Sequence, residues 1–136
     1  MAVTPNSIVT PQTPRSASVG LTTGNTTFTT SPTNTALLVT AGPNGARVTR
    51  LWAVPLEQIN AANNIQLYRS HDGGTTKFLA DSKLMATINP GAAVANAPTD
   101  FGYSDDNPLI LAANERIYVA EGQTEAVNVT AEWADY

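Results

Sequence analysis

The chain contains no cysteine, a single histidine and little charge of either sign. The absence of cysteine excludes disulfides and thiolate metal sites, and it leaves the redox compartment unmarked. Charged residues make up 13% of the sequence, about half the usual quarter. The seven basic residues, Arg15, Arg47, Arg50, Arg69, Lys77, Lys83 and Arg116, are scattered and form no run. With a formal net charge of −4, the chain has no general attraction to nucleic acid, and none is expected as a partner. No apolar run approaches the ~20 residues of a membrane helix. The first residues lack the basic and apolar regions of a secretory leader. Neither a membrane partner nor a leader is therefore expected.

Thr, Ala and Asn are abundant instead, over 136 residues that suit one domain with one modest core. Residues 1–15 carry Pro5, Pro11 and Pro14 among small polar residues. Proline fixes φ and removes a donor, so this segment cannot join a central strand. It reads as an extended N-terminal arm, either a frayed tail or an arm that orders on a neighbouring subunit. Thr4, Pro5, Ile8, Pro11, Pro14 and Arg15 are its candidate interaction residues.

From Ser16 to Tyr136, short runs of β-formers alternate with turn signals. "SASVGL" and a short "TTFTT" come first. "TALLVTA" (35–41) and "ARVTRLWAVP" (46–55) flank "GPNG", which predicts a hairpin. Leu56–Asn64 is either one short helical turn or a loop. "IQLYRS" and "TTKFLADSKLMATI" flank a His-Asp-Gly-Gly turn. Asn89–Asp100 reads as an aperiodic loop. "LILAANERIYVAEG" predicts one strand, and "AVNVTAEWADY" alternates cleanly, with Val127, Val129, Ala131 and Trp133 on one face. A second hairpin is predicted between these last two. The fold class is all-β: a single antiparallel β-sandwich or jelly-roll domain over 16–136.

Chemistry is hard to find. Ser70-His71-Asp72 spells the letters of a hydrolase triad, but a triad is assembled from residues distant in sequence, and neighbours on an extended chain point apart. "SHDGGTT" resembles the Asp-box turn of sialidase-type propellers, a structural motif. Ser70, Asp72, Gly73 and Gly74 are accordingly read as a structural hairpin tip, with Asp72 bonding backbone amides. Asp105-Asp106-Asn107 lacks the ligand spacing of a calcium loop and reads as a turn before Pro108. Glu115, Glu121, Glu125, Glu132 and Asp135 read as a solvated acidic face. Trp52 and Trp133 read as core or subunit-interface residues. No catalytic residue, cofactor or metal ligand is assigned, and a non-enzyme is expected.

"TNTALLVTAGPNGARVTRLWAVP", "LYRSHDGGTTKFLADSKLMA" and "PTDFGYSDDNPLILAANERIYVA", with the "TPQTP" of Thr10 to Pro14, resemble a group of small β-rich virion proteins of tailed bacteriophages and prophages. The likeness covers nearly the whole chain. It implies a capsid decoration, or cement, protein made in the host cytoplasm and placed on the capsid surface. The implied partners are the major capsid protein and further copies of the chain, a trimer being favoured. A tail or fibre component with a carbohydrate-binding loop at Asn89–Asp100 is the alternative.

Overall fold

A computed structural model describes residues 10–136. The described chain is all-β, with no helix and two antiparallel sheets. The strands are β1 (Thr13–Leu21), β2 (Ala36–Thr40), β3 (Ala46–Pro55), β4 (Asn63–Ser70), β5 (Phe78–Met85), β6 (Thr99–Asp100), β7 (Leu109–Leu111), β8 (Arg116–Glu121) and β9 (Val127–Asp135). One sheet has the order β1-β9-β3-β6, with β7 also on β3; the other has the order β2-β8-β4-β5. Their inner faces share one core that includes Val39, Leu51, Ile65, Leu67, Ile117, Val129 and Trp133. The alternation read in β9 holds: Val127, Val129, Ala131 and Trp133 are buried, while Asn128 and Glu132 are exposed.

Several expected connections come out differently. β2 and β3 do not form a hairpin: β2 pairs with β8, and β3 pairs with β9 in the opposite sheet. Gly42–Gly45 still turns, with Gly45 N–H donating to Gly42 O at 3.1 Å, but the turn carries the chain from one sheet to the other. Gly45 needs its φ of 89°, and a Cβ there would meet the Leu111 carbonyl. The expected strand from Leu109 to Gly122 breaks in two at Asn114, whose φ of 59° ends the extended run. Its halves, β7 and β8, lie in different sheets. β8 and β9 are likewise split between sheets, so the second expected hairpin is absent. Only β4 and β5 form the hairpin read in the sequence. "TTFTT" is not a strand, and Leu56–Ala62 is loop, tied by an Ile59–Ile88 bridge.

The segment 22–35 is instead a strap over the outer face of the second sheet. Asn25 anchors it. Its Nδ2 lies 2.8 Å from Gln66 Oε1 and 3.0 Å from Tyr68 Oη. Its Oδ1 accepts from Thr33 N–H at 3.1 Å and from Thr27 N–H at 3.2 Å. Asn25, Gln66 and Tyr68 are all buried. Farther along, Lys77 N–H donates to Thr30 O at 3.0 Å, which ties the strap to the start of β5.

The arm boundary expected after Arg15 falls inside a strand. β1 begins at Thr13 and pairs with β9 through nine successive positions, from Thr13–Asp135 to Leu21–Val127. Pro14 is tolerated because β1 is an edge strand.

Candidate functional site

At one pole of the sandwich, β1 and β3 begin, β9 ends and the β4–β5 hairpin turns. The candidate residues that fall within the described region gather here. Thr4, Pro5 and Ile8 lie outside the described residues.

The hairpin tip is held by its own side chains. Ser70 Oγ donates to Asp72 Oδ1 at 3.0 Å and accepts from Gly74 N–H at 2.9 Å. Asp72 Oδ1 also accepts from Thr76 N–H at 2.8 Å. Bonds from Thr76 are the main reason the Asp72 carboxyl sits below the usual aspartate range. Gly73 and Gly74 have φ of 76° and 98°. Gly73 O accepts from Arg116 at 2.9 Å, and Lys77 reaches Gly74 O at 2.9 Å while lying over the Tyr118 ring. A Cβ on Gly74 would collide with the Tyr118 hydroxyl. Gly74→Ala should therefore destabilise the fold by about 1–3 kcal/mol, combining backbone strain and the clash. A urea titration of the two proteins checks this.

Ser70 spends its one proton on Asp72, so it is not poised for His71. His71 is exposed and faces Glu115 Oε1 at 3.6 Å. Glu115 is not on a solvated face. It is buried, and it accepts from Arg69 Nε at 2.5 Å, Arg69 NH2 at 3.0 Å and Ala112 N–H at 2.9 Å. Burial pushes its pKa up, but Arg69 and the Ala112 amide outweigh burial and hold it below the usual value.

Asp135, also buried, closes the same pole. It accepts from Arg15 Nε at 2.5 Å and from Gly42 N–H at 3.0 Å. Pro11, Pro14 and Arg15 border a groove of about 440 Å³ completed by Arg47, Thr49, Asp105, Glu132, Trp133 and Ala134. Arg47 donates to the Asp105 carbonyl, and its buried Nε has no partner among the described residues. Arg15 keeps about half its side chain exposed. Beside the groove, Arg50 lies over Trp52 at 3.9 Å and faces Asp100 and Glu132 at 3.7 and 3.9 Å. Trp133 is in the core, whereas Trp52 is half-buried on the outer face. Such a groove can hold an extended segment through its carbonyls or carboxylates. The sequence marked its Pro11, Pro14 and Arg15, but it gave no sign that β3 would bring Arg47 beside them.

The 104–107 turn closes by reciprocal bonds between Ser104 and Asn107 at 3.1 and 3.2 Å. Among the described residues no group of acidic or histidine side chains is arranged to hold a metal. The loop expected over Asn89–Asp100 contains no aromatic residue and ends sooner, because Thr99–Asp100 pairs with β3 as β6; it holds a Gly91–Val94 bridge, and Asn96 donates to Pro55 O at 2.6 Å.

The opposite pole carries a third buried acid. Glu121 is fully buried, and Asn63 Nδ2 donates to its Oε2 at 2.9 Å. Its Oε1 has no partner among the described residues. The surrounding loops, 56–62, 86–98 and 122–126, contain no Lys or Arg. Burial, more than the neighbouring Glu125 and Glu57, pushes the Glu121 carboxyl up. A raised folded pKa stabilises the fold at pH below the usual glutamate value, and this contribution is lost as pH rises through the raised value. Glu121→Gln should thus gain roughly 1 kcal/mol at pH 7. The gain should vanish below the usual glutamate pKa, as thermal melts over a pH series will show.

Compared with protein-family models, with curated proteins and with solved structures, the chain matches none.

Proposed function

We propose that this chain is a bacteriophage virion structural protein of the capsid decoration type, non-enzymatic, binding the outside of the head and holding adjacent major capsid subunits together. The observation that carries the reading is the groove at the arm pole. There, Pro11, Pro14 and Arg15 meet Arg47 on a rigid two-sheet frame. The arm residues Pro11, Pro14 and Arg15 would contact a neighbouring capsid subunit. The repeated crossing of the chain between sheets supports reading the frame as jelly-roll-like. Within the one triad-like trio of the sequence, Ser70 and Asp72 are occupied in tying a turn. Many copies of a weakly binding homo-oligomer on a lattice gain strength through multivalency.

The test separates heads from tails of purified particles and measures the copy number of this protein on each. Head-borne copies in fixed ratio to the major capsid protein support the reading, and recovery with tails overturns it. Rebinding to heads stripped of the protein should weaken when Arg15 and Arg47 are changed to Gln.

A further inference from the structure

A β-sandwich has open edges, and each exposed edge invites another strand unless something blunts it. In this fold the edges are treated unequally. β5 is an edge strand interrupted by a register shift opposite Leu67 and Tyr68. It also places Asp81 and Lys83 opposite the core residues Leu67 and Ile65, so two charged side chains sit on its inward positions. Inward charges and a bulge are common devices against edge pairing. β2 is only five residues long and has its own register shift. β6 and β7 have two and three residues.

β1 has none of these guards beyond its first turn of sequence. Its nine residues keep unbroken register with β9, and among the described residues nothing pairs with its other edge. After Pro14 and Arg15 it reads Ser16-Ala17-Ser18-Val19-Gly20-Leu21, without charge. Ala17 and Val19 pack on the core yet stay half-buried at the open margin.

We infer that β1 pairs antiparallel with β1 of a second copy, around a two-fold axis at Ser18. The strand is self-complementary in that register. Ala17 then faces Val19 of the other copy, covering both half-buried apolar positions, and Ser16 faces Gly20. Each Arg15 faces Leu21, so the two guanidiniums lie six residues apart, roughly 20 Å along the strand. No like charges are opposed. Pairing joins the two β1-β9-β3 sheets into one continuous sheet. This contact does not rest on the proposed location on the head, and it is distinct from the trimer that the phage resemblance implies.

The absence of cysteine makes the test clean. Directly opposed residues of an antiparallel pair lie within disulfide reach. Single variants Ser16→Cys, Ser18→Cys and Gly20→Cys, with Ser82→Cys on β5 as control, are oxidised mildly and run without reductant. Ser18→Cys should give the highest yield of covalent dimer, and Ser82→Cys should give none. Sedimentation of the unmodified protein should show a dimer, and Ala17→Lys, which puts on β1 the inward charge that β5 carries, should shift it to monomer with a native circular dichroism spectrum. A monomeric unmodified protein overturns the inference. So does a trimer whose Ser18→Cys form does not cross-link, or a cross-link maximum away from Ser18. Should Ala17→Lys fail to fold, the cysteine series decides alone.

Discussion

Asn25→Ala is expected to remove about 3 kcal/mol of stability and to lower the melting temperature by roughly 10 °C. Few exposed-looking asparagines would have that effect. The reason is what the side chain leaves behind. Gln66 Oε1 and Tyr68 Oη lose the Asn25 amide, and the Thr33 and Thr27 amides lose its carbonyl. Gln66 and Tyr68 lie buried beneath the strap and keep only weakened satisfaction through their mutual bond at 2.8 Å, and buried polar groups that lose a partner cost about 1–3 kcal/mol each. Partial recovery by water entering the opened strap limits the total. Amide hydrogen exchange should localise the loss: protection falls in residues 22–35 and in β4 before it falls in β3 or β9. Equal loss of protection in both sheets would show that Asn25 does not act as a local anchor.

Arg69→Met should cost about 3–5 kcal/mol at pH 7, because it strands a buried carboxylate. Glu115 would lose both guanidinium bonds, keeping the Ala112 amide and the more distant His71. The pH dependence gives this effect a signature. In the unaltered protein the folded pKa of Glu115 is depressed. Its stabilisation is present above the usual glutamate value and is lost as pH falls through the depressed one. In Arg69→Met, burial is left largely unopposed, so the carboxyl protonates more readily. The gap between the two proteins should therefore narrow on acidification. A double variant, Arg69→Met with Glu115→Gln, should recover much of the loss at pH 7. If the gap holds constant from pH 7 to pH 4, lost packing rather than the stranded charge is responsible.

The strands themselves were largely legible. β3, β4, β5 and β9 follow from runs of β-formers between turn residues, and the inward face of β9 follows from its alternation. Sheet membership was not legible. Pro43-Asn44-Gly45 signals a reversal, but the same residues serve a hairpin and a corner between sheets. Which one forms depends on whether β2 finds β3 or β8, and that is settled by packing far away in sequence. Charge misled at Glu115, Glu121 and Asp135. Each looked solvated because carboxylates usually are, yet two of them have an arginine partner and all three are buried. The strap misled for the same reason. Thr26–Thr30 looked like a short strand, whereas the segment is held by the Asn25 side chain, which bonds across to Gln66 and Tyr68. At the candidate site, the sequence marked Pro11, Pro14 and Arg15 through proline content. Arg47 carried no mark until β3 and β9 brought it alongside.

The pairing of β1 with β9 has a consequence for how the molecule is made. β9 lies between β1 and β3, so their sheet has no centre until the residues from Val127 onward have left the ribosome. Every pairing in it joins segments far apart in sequence, and such contacts close slowly. Only the β4–β5 hairpin can form early from local contacts. A nascent chain that has produced β1 but not β9 therefore carries a strand without charge beyond Arg15 and with both edges open, and during synthesis that strand is the segment most exposed to mispairing.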